Sequence, residues 1–355
     1  MIEDLRSALE ELKKYENQIA CTDTEVDSYA EVAGIYRYVG AGGTVKRPTK
    51  EGPALLFRNI KGFPDKQVLI GLLASRKRVG CLLDCPPDKL GFLLKDAAAN
   101  PIMPEFTAGG DVPCQEEIHY ASEEGFDIRK LLPAPQNTEE DAGPYITMGM
   151  CYASDPVTGE GDVTIHRLCL QSADEMTMFF TPGVRHLDAF REKAEREGVN
   201  LPISISIGVD PAIEIASCFE PPTTPLGFNE LSIAGALRKK PVRMAKCRTI
   251  DEYAIANAEF VIEGELVAGK RMREDINTNT GKAMPEFPGY TGHVSGELPV
   301  IKIKAVTHRK NPIIQTQRGT REHGGNPDGG QHPDHGREGA CRAREKCLRS
   351  PLRRR

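Results

Sequence analysis

Three stretches of this chain carry residue types that could do chemistry. DVTIHR (162–167) sets Arg167 on a strand with Thr164 and His166, among otherwise apolar residues. A guanidinium in that setting could grip a carboxylate at two points. On pattern alone, a solvated Arg on an edge strand is the better reading. ASCFEPPTTPLGFNELSIAG (216–235) runs from a polar, Pro-rich loop through Asn229 and Glu230 into a helix of small residues. The plain reading is a loop whose carboxylate offsets the helix dipole; the functional one places backbone carbonyls and Glu230 around a cation. TNTGKAMPEFPGYTG (278–292) crowds Thr, Asn, Gly and Pro into one loop and sets Glu286 between Pro285 and Phe287. A carboxyl group among apolar neighbours holds its proton to higher pH, which suits proton donation. An ordinary surface loop accounts for the same composition.

The elements that must position these residues show a change of rhythm. Residues 1–110 alternate helical and strand-like segments. Ile2, Leu5, Leu9 and Leu12 follow a helical period, PALLFRNI (53–60) reads as a strand, QVLIGLLASRKRVG (67–80) as a helix ending at Gly80, and KLGFLLKDAAAN (89–100) as a helix stopped by Pro101. This predicts an α/β layer. PIMPEFTAGGDVPC (101–114) reads as a boundary. Beyond it come strands at 146–153, 162–171 and 175–180, an amphipathic helix at 187–198 capped by Gly198, and further strands at 202–209, 258–267 and 297–309. The expected organisation is an N-terminal α/β domain over 1–112, a β-rich domain over 113–300, a strand over 301–316 returning to the first domain, and a tail over 317–355.

Composition narrows the classes. The 355 residues hold 39% hydrophobic and 27% charged residues, with no Trp, which fits a globular chain with an aliphatic core. No apolar run is long enough to span a bilayer, and the first residues lack the basic start and apolar centre of a signal peptide, so a cytoplasmic location without membrane partners is expected. The ten Cys lack metal-type spacing and read as reduced thiols; Cys81 and Cys85, four residues apart, suit one helix face better than a zinc knuckle. The net charge of −5 divides unevenly: residues 317–355 carry nine Arg and one Lys against five Asp and Glu, leaving −10 on the preceding 316 residues. An acidic body argues against nucleic acid as the partner.

Taken together, DPVTGEGDVTIHR, FTPGVRH, ISIGVDPA, EPPTTPLGFNE, AEFVIEGEL, PEFPGYTG and AVTHRKNPI resemble the UbiD-like decarboxylases, over most of residues 50–316. The wording NTNTGKAMPEFPGYTG is most similar to the phenolic acid branch, which acts on gallate, protocatechuate, vanillate or 4-hydroxybenzoate. The polyprenyl-hydroxybenzoate decarboxylases of quinone synthesis remain a second substrate class. The resemblance implies an N-terminal α/β domain, a split β-barrel that holds prenylated flavin mononucleotide (prenylated FMN), and a C-terminal domain for closure and homo-oligomerisation. It implies a divalent metal, Mn2+ or Mg2+, at the positions of Asp162, His186 and Glu230, where Asp162 departs from the family's Asn but keeps an oxygen ligand. It implies K+ near Ala216 through Phe219, including Cys218, with Glu230 shared. Cofactor contacts fall on Thr164, Ile165, His166, Arg185 and His186, the catalytic Arg on Arg167 and the proton donor on Glu286. The family's second acid falls on Gly281; Asp275 is the nearest upstream carboxylate. The implied partners are a small aromatic acid and a flavin prenyltransferase that supplies the cofactor.

At Gln317 the pattern breaks. The 39 residues that follow Thr316 contain no Val, Ile, Met, Phe or Tyr and only two Leu, so they cannot build a core. A disordered basic tail, a metal tract of His332, His335, Cys341 and Cys347, and a frameshift product compete. NPDGGQHPDHG and EKCLRSPLRRR can both be written in codons that, read one base later, give IPTEASILTMV and KNVYAHPSGGG, strings resembling the family's C-terminal domain. The expectation is therefore a frame-shifted, C-terminally truncated chain, with a non-catalytic remnant as the alternative to an active decarboxylase.

Overall fold

The computed structural model describes residues 2–39, 51–109, 111–180, 185–284, 292–294 and 296–317. Glu286 and the tail beyond Gln317 lie outside the described residues, as do the tail's His and Cys.

In chain order the elements are α1 (Leu5–Leu12), β1 (Ile19–Thr22), α2 (Glu31–Val39), β2 (Ala54–Phe57), β3 (Gln67–Ile70), α3 (Arg76–Leu83), α4 (Leu90–Ala99), β4 (Glu105–Thr107), β5 (Glu117–Tyr120) and α5 (Ile128–Leu131). They continue with β6 (Tyr145–Ser154), β7 (Gly161–Leu170), β8 (Glu175–Met178), α6 (His186–Arg196), β9 (Leu201–Ile207), α7 (Pro211–Ala216) and α8 (Leu231–Arg238). The last are β10 (Arg243–Lys246), β11 (Tyr253–Ile255), β12 (Phe260–Arg273), β13 (Glu297–His308) and β14 (Ile313–Thr316). No helix among the described residues is long and apolar enough to cross a membrane.

The large sheet runs β12-β9-β6-β7-β8-β13-β5, and β12 also pairs with β13. That pairing closes six strands into a barrel, with β5 attached outside as an extension along β13. Closure leaves the barrel strands without free edges. Its interior is aliphatic: Leu168, Leu170, Ile203, Ile205, Ile262, Ile301 and Ile303 are almost fully buried in one cluster. A smaller sheet, β1-β2-β3-β14, packs with α1 and α3 in the N-terminal α/β layer. β14 comes from the far end of the described chain and pairs in parallel with β3. The α/β layer followed by a barrel is the fold class expected.

One element differs from expectation. Residues 67–80 are not one helix: Gln67–Ile70 is strand β3, and a helix starts only at Arg76. Val68 and Ile70 are β-branched and buried, Gly71 turns the chain at φ +81°, and the Ser75 side chain accepts from Arg78 N to cap the helix. A continuous apolar run fits a fully buried strand as well as a helix, so periodicity could not separate the two. Gly80 does not end α3, which continues to Leu83 and stops at Asp84 in the left-handed region, φ 49°. The eight described cysteines are all free thiols.

Candidate active site

β7 carries the site. It lies between β6 and β8 inside the barrel wall, so Arg167 is not on an edge strand. Alternation sends Asp162, Thr164 and His166 to one face and Ile165 and Arg167 to the other. Thr164 Oγ1 lies 2.7 Å from His166 Nε2, and His166 Nδ1 lies 3.0 Å from Phe179 O. A carbonyl can only accept, so Nδ1 carries the proton and Nε2 accepts from the Thr164 hydroxyl. Burial pushes the imidazole down to about 4, so it is neutral near pH 7.

Three elements converge at the start of β7. Asp162 is its second residue, His186 opens α6, and Glu230 precedes α8. All three are buried, and one ligand atom from each lies within 4.8 Å of the others. His186 Nδ1 stands 3.1 Å from Asp162 Oδ2 and 3.7 Å from Glu230 Oε1. The carboxylate oxygens of both acids and His186 Nε2 have no hydrogen-bond partner of good geometry. Burial raises the pKa of both acids, and the neighbouring Asp162 carboxylate adds to the effect on Glu230. Two buried carboxylates facing one imidazole, with their lone pairs unspent, make a donor set that a divalent cation fits. Arg185, immediately before His186, reaches Glu220 at 3.2 Å.

Ile165 N donates to Ser217 O at 3.4 Å, which ties the middle of β7 to the segment after α7. Cys218 and Phe219 follow directly, and Phe219, like Ile165, packs on the cluster that includes Met150 and Val163. The Ala216–Phe219 segment and Glu230 are therefore both anchored around β7.

Arg167 is not solvated. Its side chain is 11% exposed, Nη2 lies 3.3 Å from Glu274 Oε2, and the guanidinium stands 4.2 Å above the Phe179 ring. Glu274 is nearly fully buried and follows the last residue of β12. Asp275, the neighbouring acid, is committed elsewhere: it accepts from Arg273 at 3.0 Å and from Gly281 N at 2.8 Å. Tyr145 is also fully buried, and the Glu274 carboxylate and Arg167 guanidinium both act on its phenol, whose pKa burial raises. Its oxygen accepts from Met284 N at 3.3 Å, so the loop that leads to Glu286 is described as far as this pair. Glu274, Phe179 and Tyr145 escaped sequence reasoning. The sequence held no signal for Glu274, because strand pairing across the barrel is what brings it to Arg167.

The chain matches the family model described as 3-octaprenyl-4-hydroxybenzoate carboxy-lyase Rift-related domain over residues 107–321, and that of the same enzyme's N-terminal domain over 10–97. It belongs to the UbiD family. It is 51% identical over 319 residues to a gallate decarboxylase of Lactiplantibacillus plantarum, covering 90% of this chain and 65% of that protein. Its structure is similar to the apo 3,4-dihydroxybenzoic acid decarboxylase of Enterobacter cloacae, with a TM-score of 0.85, 53% identity, and coverage of 90% of this chain and 65% of that one. It is also similar to the UbiD-class enzyme HmfF of Pelotomaculum thermopropionicum in complex with prFMN, with a TM-score of 0.78, 34% identity, and coverage of 91% and 69%. The chain thus spans 65% of the length of the first two relatives.

Proposed function

We propose that this chain serves a non-oxidative, reversible decarboxylation of a small hydroxybenzoate, with prenylated FMN and a divalent cation. The observation that carries the reading is the pairing of two sites on one strand. The Asp162–His186–Glu230 cluster and the Arg167–Glu274 pair sit five residues apart on β7, about 17 Å of extended chain. One end suits a cation shared with a phosphate; the other suits an aromatic carboxylate. The unpartnered buried oxygens of Asp162 and Glu230 support the cation assignment, and the donor set suits Mn2+ or Mg2+. K+ is assigned to the Ala216–Phe219 carbonyls with Glu230. Thr164, Ile165, His166 and Arg185 are assigned to the flavin.

When bound, the prenylated flavin supplies an electron sink for the ring carbon that loses carbon dioxide. Arg167 grips the substrate carboxylate, and Glu274 with Phe179 holds the guanidinium charged and aimed. Glu286 donates the proton that replaces the carboxylate on the ring carbon. Among free phenolic acids, gallate and 3,4-dihydroxybenzoate come first, since relatives named for them are 51% and 53% identical to this chain over the aligned residues. A flavin prenyltransferase supplies the cofactor.

Co-expression of a frame-corrected version with a flavin prenyltransferase, followed by carbon dioxide release assays on a panel of hydroxybenzoates, tests this. Release from gallate or 3,4-dihydroxybenzoate is expected. Activity confined to cinnamates or prenylated hydroxybenzoates would overturn the substrate class.

A further inference from the structure

A second convergence of metal-ligating groups lies away from β7, on the extension of the large sheet. β5 and β13 run antiparallel, with His308 opposite Glu117 and Val306 opposite His119. Directly opposed residues share a face, and so do residues two apart on one strand, so Glu117, His119 and His308 project from the same side. His119 Nε2 and His308 Nε2 are 3.1 Å apart, and His308 Nε2 is 3.7 Å from Glu117 Oε2. One ligand atom from each of the three lies within 4.8 Å of the others.

The lone pairs decide what this arrangement needs. His308 Nδ1 lies 2.7 Å from Arg309 O, which can only accept. The proton therefore sits on Nδ1, and the neutral ring turns the bare Nε2 lone pair towards His119 and Glu117. Burial holds His308 below its ordinary pKa, and His119 pushes the same way. A carboxylate oxygen and a bare nitrogen facing each other at 3.7 Å repel unless a cation stands between them. A His119 proton satisfies one of these acceptors; a metal ion satisfies all three. An N–H bonded to a backbone carbonyl behind the ligating nitrogen is the arrangement found around metal-bound histidines. The two rings are near parallel, with centroids 5.1 Å apart and planes within 19°. Two imidazoles on one tetrahedral ion at ordinary bond lengths bring their nitrogens to about 3.3 Å, close to the separation seen.

The surrounding charges permit a cation. Lys66, which acts on His308, is paired with Asp65 at 3.0 Å, and Arg309 is paired with Asp4 at 2.8 Å and with Glu259 at 3.4 Å. The Glu117 side chain is 42% exposed, so an ion can enter from solvent.

We propose that Glu117, His119 and His308 form a second metal site, for a divalent transition ion of the imidazole-preferring kind such as Zn2+, Ni2+ or Co2+. Imidazole donors separate it from the oxygen-rich cluster on β7. The site clips β5 to β13 just before the chain leaves for β14, where Lys310 N already donates to Glu116 at 2.7 Å. Its consequence is a stiffer joint between the barrel and the smaller sheet.

The full chain, stripped of metal with a chelator and titrated with Co2+, provides the test. Bound metal is measured by equilibrium dialysis, and ligand geometry by the visible cobalt spectrum. The parent is expected to bind one ion more per chain than His119→Ala, and that variant to lose the spectrum of a four-coordinate nitrogen-ligated ion. Zn2+ should raise the melting temperature of the parent more than that of His119→Ala. Glu117→Gln, at a half-exposed position, repeats the comparison should His119→Ala fail to fold, and is expected to weaken cobalt binding at least tenfold. Equal stoichiometry and affinity in the parent and a folded variant would overturn the site and leave a plain imidazole–imidazole hydrogen bond.

Discussion

In the proposed role, the Arg167 guanidinium must stay aimed while no substrate is bound. Glu274 and the Phe179 face hold it in a largely buried setting. Glu274→Gln keeps the shape and removes the charge, so turnover is expected to fall by about 100-fold while flavin absorbance in the purified protein is retained. Unchanged turnover would remove Glu274 from the machinery. Glu286→Gln is expected to abolish turnover with flavin still bound, because an amide cannot supply the ring proton; near-normal rates would refute the donor role. His166 gives a pH signature of its own. Its folded pKa of about 4 lies below the unfolded value of 6.5, so between these values the unfolded chain binds the proton and the folded one does not. Stability therefore falls as pH drops from 6.5 to 4, by about 3 kcal/mol in total. His166→Gln should flatten that part of a pH series of urea midpoints; an equally steep series would show that other groups set it.

Among the elements, α8 decides whether the Asp162–His186–Glu230 cluster closes. Glu230 sits at its N-terminus, and Gly235, one turn further on, faces the backbone of the segment after α4. A Cβ on Gly235 would lie 2.4 Å from Ile102 O, and Ile102 N already donates to Ser232 O at 2.9 Å. Backbone cannot swing aside as a side-chain tip can. Gly235→Ala should therefore shift α8, destabilise the fold by roughly 1–3 kcal/mol, and weaken Mn2+ binding through Glu230. Denaturant midpoints and a manganese titration read the two effects separately. Wild-type manganese affinity in a destabilised variant would uncouple helix position from the cluster.

For the molecule as a whole, the β12–β13 pairing is what makes one site from distant segments. It closes the barrel and delivers Glu274 from the end of β12 to Arg167 on β7. The smaller sheet is likewise completed from afar, by β14, whose Gln315 donates to the buried Glu214 of α7 at 2.8 Å. Residues 318–355 carry almost no apolar side chains, so their deletion is expected to leave the melting temperature of the purified protein unchanged. A fall of several degrees would show that the basic tail packs against the body. Resequencing across codon 317 is expected to find the shifted base that its composition suggests; a confirmed reading frame would require a functional account of the tail.

Local patterns were legible wherever one residue's neighbours in sequence decide its state. The α/β start, the barrel strands and the helices α1, α4, α6 and α8 could be read this way, because periodicity and turn residues act over a few positions. Residues 67–80 could not, since an apolar run buried on all sides has no period to read, and Gly71 with Ser75 divides it only once the sheet around β3 exists. Motif wording pointed to Asp162, His186, Glu230 and Arg167, yet only the closed barrel brings the first three within 4.8 Å. Glu274 over Asp275 was undecidable in one dimension. The two acids are adjacent, and the turn that follows β12 sends one to Arg167 and the other to Arg273 and Gly281 N. Short-range chemistry is written in sequence; which charges meet is set by long-range strand pairing, which a single sequence does not spell out.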